Sequence, residues 1–393
     1  MSDYSTNSRH LRVGYFSSEL IIHDDRFLEK LSVSHDETYL FTIRKTIPEH
    51  LLRIPRVKVF NLYQPLFPYD DPADPSYGFK TRLRIKVGFL YYAWKLRKLL
   101  AELKPDILHA GWVPTDGYIA AMTGYHPFLL MPWYGDIVHT PFDWPSSQRR
   151  VIRALESADA ITCDADIIFE KMKVLSPDTV DKKLLQFPWG IDLQKFFPAE
   201  SSRRPNETLE VVCVKFIRER AGFDLLVKAM GLLKERGVAV RVHVYGDGNI
   251  LNTYRYETRL RGLEAMLVWH GYVDNDQIPE RLRAADVYLS TSLGDGTSLA
   301  LMEAMACGLA LVVTDIPAHH QWIESGVNGF IFGQRDAEGL ARQLEQLAVN
   351  KSDLRRMGAK NAEIARREFD WDVNFEKLEK LYFEMLASKR AEK

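Results

Sequence analysis

The chain has 393 residues, enough for two domains of ordinary size, and 46% of them are hydrophobic, so sizeable cores can form. Its 52 Lys and Arg against 53 Asp and Glu leave a formal charge of -1, which excludes bulk attraction to nucleic acid. No apolar run approaches the ~20 residues a membrane-spanning helix needs, and Met1–His10 is polar rather than a leader peptide, so a cytoplasmic protein is expected.

Taken in order, Arg12–Ser17 predicts a first parallel strand, Asp25–Leu31 a helix, and Tyr39–Arg44 and Val57–Leu62 further strands. The alternation predicts an α/β chain with a doubly wound sheet and ligands at the C-terminal strand ends. Residues 80–104 are basic and interleaved with Phe89, Tyr91, Tyr92 and Trp94, with Glu102 the only acid. They read as a surface helix packed on its own sheet, with contact to an anionic membrane as the alternative. Asp106–Ala110 is the next strand, with His109 near its end, and Phe128–Asp136 runs into Pro-Trp-Tyr-Gly-Asp. Ala160–Cys163 follows as a strand. The polar, proline-bearing Pro198–Thr208 is a linker between two domains.

Beyond the linker come the strand Leu209–Val214, with Lys215 and Arg220 after it, the helix Phe223–Arg236, and the strand Val238–Gly246 entering Gly246-Asp247-Gly248. Val268–Val273 and Leu311–Thr314 read as further strands, and Arg366–Leu386 as a closing amphipathic helix. His319-His320 has no other ligand nearby in sequence and does not read as a metal site. Cys163, Cys213 and Cys307 lie far apart in apolar surroundings and read as reduced core residues.

The chemistry concentrates in Gly294–Gly308. Its first half is a Gly-rich turn and its second half a short helix that Gly308 can close with a left-handed cap. Such a turn presents backbone N–H groups at a helix N-terminus, where negative charge is stabilised. Asp295 and Glu303 stand eight positions apart, and Glu303 interrupts an otherwise apolar helix from Leu299 to Ala306. A buried carboxylate needs partners that hydrogen-bond it, and a pair of sugar hydroxyls would serve.

This stretch resembles the acid-x7-acid signature of the family 4 retaining glycosyltransferases, the glycosyl transferases group 1 of GT-B fold. The resemblance is strong from Val211 to Phe330 and loose before Phe187. It implies two Rossmann-like doubly wound domains facing a central cleft. An acceptor domain would span 1–197 and a nucleotide-sugar donor domain 205–369, with the last helix, 370–393, returning to the first domain. By the same resemblance Asp295 holds the transferred sugar, Glu303 the ribose, and Lys215 and Arg220 the diphosphate, though the family carries these two cations in the reverse order. Gly296, Thr297, Ser298 and Leu299 supply the turn, while Gly246 and Tyr272 border the nucleotide. His109 and Asp136 are carried over as residues near the reacting sugar.

A Gly-Gly pair usual after strand one is replaced here by Ile22-His23-Asp24-Asp25. These acids read either as a solvated turn or as partners of acceptor hydroxyls. The expected activity is metal-independent, retaining transfer of a hexose from a nucleotide-sugar to a carbohydrate or lipid-linked hydroxyl in glycan or polysaccharide synthesis. No cofactor is expected, and UDP is the working donor base. A GT-B-fold 2-epimerase and a non-catalytic nucleotide-sugar-binding protein are the alternatives. A dinucleotide-dependent oxidoreductase fits less well, because no Gly-x-Gly-x-x-Gly follows a strand.

Overall fold

The computed structural model describes residues 11–67, 78–143, 145–199 and 208–391. The chain divides into two compact units, residues 1–187 with 377–393, and residues 188–376. Most of the expected linker, 200–207, lies outside the described residues, as does the polar start of the chain, 1–10.

The first unit is built on a seven-stranded sheet of order β3-β2-β1-β4-β5-β6-β7. Its strands are β1 (Arg12–Phe16), β2 (Glu37–Thr42), β3 (Val57–Asn61), β4 (Ile107–Ala110), β5 (Phe128–Leu130), β6 (Ala160–Cys163) and β7 (Leu184–Gln186). Every pairing is parallel. The second unit carries six parallel strands in the order β10-β9-β8-β11-β12-β13. These are β8 (Leu209–Val214), β9 (Val240–Tyr245), β10 (Leu267–Gly271), β11 (Val287–Ser290), β12 (Ala310–Thr314) and β13 (Gly329–Phe332).

Parallel strands covered on both faces need apolar side chains at consecutive positions. β8 shows how the sequence meets that demand. Val211 and Cys213 enter one core, with Leu226, Met230 and Val242, while Val212 enters the other, with Tyr288, Leu301 and Leu311. The three cysteines are buried and unpaired, and burial pushes the thiols of Cys213 and Cys307 up to about 12.

Two local expectations are corrected. The acids at Asp24 and Asp25 belong to no loop, because helix α1 (Ile22–Ser34) begins before them. Asp24 is buried, accepting from Ile21 N and Tyr15 Oη at 2.8 Å each, so it caps the helix instead of meeting solvent. The closing helix is also not continuous over Arg366–Leu386. One helix ends at Glu368 and the next, Trp371–Ala391, starts afresh. Asp370 breaks the run: its Oδ1 accepts from Asp372 N at 2.9 Å and Val373 N at 3.2 Å, and Ile191 pairs with it.

Candidate active site

In a doubly wound sheet, ligands bind beyond the C-terminal strand ends where the strand order reverses. In the second sheet that reversal lies between β8 and β11. Lys215 is the first residue after β8, and Asp295 follows β11 by five. Lys215 Nζ donates to Asp295 Oδ2 at 2.5 Å, and their side chains are 18% and 25% exposed. The expected cation and the expected acid thus meet directly across the reversal.

The Gly246-Asp247-Gly248 turn after β9 supports the same loop. Lys215 N donates to Tyr245 O at 3.0 Å, and Ile217 N to Asp247 O at 2.8 Å. A Cβ on Gly246 would stand 2.0 Å from Lys215 O, and one on Gly248 1.9 Å from Ile217 O. Only glycine lets these backbones approach so closely, so the turn fixes where Lys215 begins. Gly246 N also donates to Gly271 O at 2.8 Å, which places exposed Tyr272 next along the strand ends.

Arg220 is exposed on the turn Glu219–Ala221, and its carbonyl accepts from Leu293 N at 3.0 Å, beside the start of the signature. Gly296 and Thr297 are buried, and Ser298 precedes the helix Leu299–Ala306 with extended backbone, as an N-cap residue should. Gly308 closes that helix with φ +75°. Glu303 is half-buried rather than buried, near Tyr288 and Cys307. Lys215, Asp295, Gly246 and the turns of Arg220 and Thr297 are therefore brought together, with Glu303 one helical stretch further on. His319, from the turn after β12, enters the same neighbourhood, although its sequence pattern was set aside as a non-metal His-His pair.

The first sheet reverses between β1 and β4, and His109 lies on β4 there. It is buried, its Nδ1 lies 2.6 Å from Tyr382 Oη, and Nε2 has no hydrogen-bond partner among the described residues. Burial pushes the imidazole down to about 3, so the ring is neutral. Asp136, in the helical turn Gly135–Val138, is also buried. Its Oδ2 accepts from Val113 N and Trp133 N at 3.1 Å each, and Oδ1 has no partner among the described residues. Burial raises this carboxyl to about 6.

Asp116 was not anticipated. It lies in the one-turn π-helix Val113–Gly117, a form that often marks functional sites. Its Oδ2 accepts from Ser18 N at 2.8 Å, Oδ1 has no partner among the described residues, and burial holds the carboxyl well above its usual range. The sequence Pro-Thr-Asp-Gly looks like a solvent turn, which hid it.

Helix α2 (Phe79–Leu103) buries Ile85, Phe89, Tyr92, Leu96 and Leu100. On its far side Phe79, Leu83, Val87, Leu90 and Trp94 are 41 to 81% exposed. Arg84, Lys95 and Arg97 bond backbone carbonyls, whereas Lys80, Lys86, Lys98 and Lys104 are exposed, with Lys98 over the Trp94 ring at 3.9 Å. No described helix is long and apolar enough to cross a membrane. A cavity of about 430 Å³ touches Asp286 and Leu309, at the N-terminal edge of the second sheet, away from these residues.

Residues 195–364 match the family Glycosyl transferases group 1, and residues 34–165 match Glycosyl transferase 4-like. Residues 195–364 thus form a group 1 glycosyltransferase domain. Among its relatives in this family, the putative colanic acid biosynthesis glycosyltransferase WcaL of Salmonella typhimurium is 30% identical over 165 residues, 40% of each chain. The match thus spans about two-fifths of that relative's length. The UDP-Gal:alpha-D-GlcNAc-diphosphoundecaprenol alpha-1,3-galactosyltransferase of Escherichia coli is 24% identical over 322 residues, 75% of this chain and 79% of that one. Among solved structures, Anabaena HepE in complex with UDP and glucose superposes with TM-score 0.73 at 15% identity, covering 94% of this chain and 99% of that chain. Sucrose-phosphate synthase from Thermosynechococcus elongatus gives 0.75 at 16%, covering 96% and 100%. At such identities the likeness shows the fold, which is GT-B.

Proposed function

We propose that this group 1 glycosyltransferase moves a hexose-type sugar from a nucleotide-diphosphate-sugar to an acceptor hydroxyl in glycan or polysaccharide synthesis. The observation that carries the reading is the Lys215–Asp295 pair at the reversal of the second sheet. A leaving diphosphate needs its growing charge met by preorganised groups. Lys215, Arg220 and the amides at Gly296, Thr297 and Ser298 supply them at one strand-end region. Asp295 then orients the sugar and Glu303 the ribose. The names of the relatives support the donor and acceptor classes: one carries UDP-Gal and a diphosphoundecaprenol-linked sugar, and HepE holds UDP and glucose.

Transfer in this reading retains the anomeric configuration. No carboxylate serves as nucleophile: the acceptor attacks the face the diphosphate leaves, and a phosphate oxygen takes its proton. The cations and turn amides do the work that a metal does elsewhere. The acceptor is assigned to the first unit, where Asp116, Asp136 and His109 each keep a buried polar atom without a partner among the described residues. The acceptor is carbohydrate or lipid-linked, and the exposed apolar stripe of α2, bordered by lysines, rests on an anionic membrane.

The test is to incubate the chain with UDP-glucose, UDP-galactose and GDP-mannose plus an undecaprenyl-diphosphate-linked sugar, and to follow product by NMR. One donor should give a glycoside of unchanged anomeric configuration, and Asp295→Asn should abolish it. Release of free sugar epimerised at C2, without transfer, would instead establish an epimerase.

A further inference from the structure

One buried side chain beside the Lys215–Asp295 pair has no part in the reading above. His319 lies in the helical turn Pro317–His320 after β12 and is 1% exposed. Its Nδ1 stands 2.7 Å from the carbonyl oxygen of Thr314. A carbonyl only accepts, so Nδ1 carries the proton and, in a neutral ring, Nε2 presents a lone pair. Burial keeps the ring neutral by pushing its pKa down to about 4. Nε2 is shut off from solvent and has no hydrogen-bond partner among the described residues. A buried acceptor left in that condition disfavours folding unless something donates to it.

The surroundings join three strand ends. Thr314 Oγ1 donates to Ser292 O at 2.5 Å, tying the end of β12 to the end of β11. Ser292 Oγ is a second buried atom without a partner. Asp295 follows three residues later, and both Asp295 and Lys215 lie close enough to act on the charge of His319. Trp322 N donates to His319 O at 3.1 Å, and Trp322 Nε1 reaches Thr297 Oγ1 at 3.4 Å, which fastens the His319 turn to the signature turn.

We propose that Nε2 of His319 accepts a hydrogen bond from a hydroxyl of the transferred sugar, so that His319 reads the sugar and not the diphosphate. The proposal rests on the second unit being the donor site. Chemistry separates the two halves of the donor. Diphosphate oxygens offer lone pairs and no proton at neutral pH, so the Nε2 lone pair repels them, whereas a hydroxyl donates to it. Phosphate oxygens also compete with Asp295 for the Lys215 ammonium.

The experiment measures dissociation constants of the full chain for UDP, GDP and ADP, and for UDP-glucose, GDP-mannose and ADP-glucose. His319→Phe keeps a ring and loses both nitrogens. It should weaken the preferred sugar conjugate by about three- to tenfold, the worth of one neutral hydrogen bond. The matching free diphosphate should be unaffected. His319→Gln, whose amide can place an acceptor near the same point, should recover most of the loss. Equal weakening of both ligands, or of neither, would overturn the proposal by showing a structural role or none. Monodeoxy sugar conjugates test it on the wild type alone: one missing hydroxyl should cost about three- to tenfold, and indifference to every hydroxyl would refute it. Failure of all six probes to bind the wild type would remove the donor-site reading, and this assignment with it.

Discussion

Lys215 and Asp295 neutralise one another at 2.5 Å, so a diphosphate must displace a carboxylate before it gains the ammonium. In the proposed reading the exchange favours the ligand because Arg220 and the turn amides add to the pull, so each cation should matter to turnover. Lys215→Ala and Arg220→Ala are each expected to lower kcat by roughly 10²-fold or more, the effect of a few kcal/mol of lost charge stabilisation. Steady-state assay of diphosphate release checks this, and near-normal rates in both would sink the phosphate assignment. His109 offers a separate test in the first unit. Burial depresses its pKa from 6.5 to about 3, so the folded state holds it neutral while the unfolded chain protonates it below 6.5. That stability is fully present above pH 6.5 and is lost as pH falls toward 3, about 2 kcal/mol of it by pH 5. Asp24 and Asp136, raised to about 6, act in the opposite sense by binding their protons first in the folded state. The comparison must therefore be with His109→Asn. Wild-type stability in urea should fall relative to that variant by about 2 kcal/mol between pH 7 and pH 5, and parallel pH profiles would contradict the buried neutral ring.

At the scale of elements, the turn Gly246–Gly248 is set by backbone contact. Gly248→Ala would place a Cβ 1.9 Å from Ile217 O, which has to move with the loop that carries Lys215. A loss of about 2–3 kcal/mol in the unfolding of the second unit is expected, together with weaker diphosphate binding. An unchanged melting temperature would show that the loop has slack. Helix α2 divides its faces between a core and an exposed stripe. Leu90→Glu with Trp94→Glu should abolish co-sedimentation with anionic phosphatidylglycerol vesicles and leave soluble-donor binding intact. Equal sedimentation of wild type and variant would remove the membrane proposal. The sequence made most elements legible because apolar runs such as Leu209–Val214 and Ala160–Cys163 stand between polar turns. It failed where a side chain took on a local cap: Asp24 starts α1 early, and Asp370 splits the final helix, both through backbone hydrogen bonds that periodicity does not register. Asp116 and His319 stayed hidden for a related reason, since burial of a polar atom depends on what packs over it.

At the scale of the whole molecule, two all-parallel sheets each reverse their strand order once, and candidate residues such as Lys215, Asp295 and His109 lie at those reversals. The family signature let candidate residues of the second unit be named one by one, and the structure brings Lys215, Gly246 and Asp295 together through backbone contacts of the Gly246 turn and the Lys215–Asp295 pair. The first unit was readable as a fold and poorly as a site. Its polar groups there are single residues without a shared pattern: His109 on β4, Asp116 in the turn after β4, and Asp136 in the turn after β5. The central claim is that the second unit binds a nucleotide diphosphate through the signature, and a thermal-shift screen tests it most directly. UDP, GDP, ADP and their sugar conjugates would be added to wild type and to Glu303→Ala. One nucleotide should raise the melting temperature, with stabilisation of about 2.7 kcal/mol at a hundredfold excess over Kd, and Glu303→Ala should remove the rise. No response of the wild type to any of them would contradict the account.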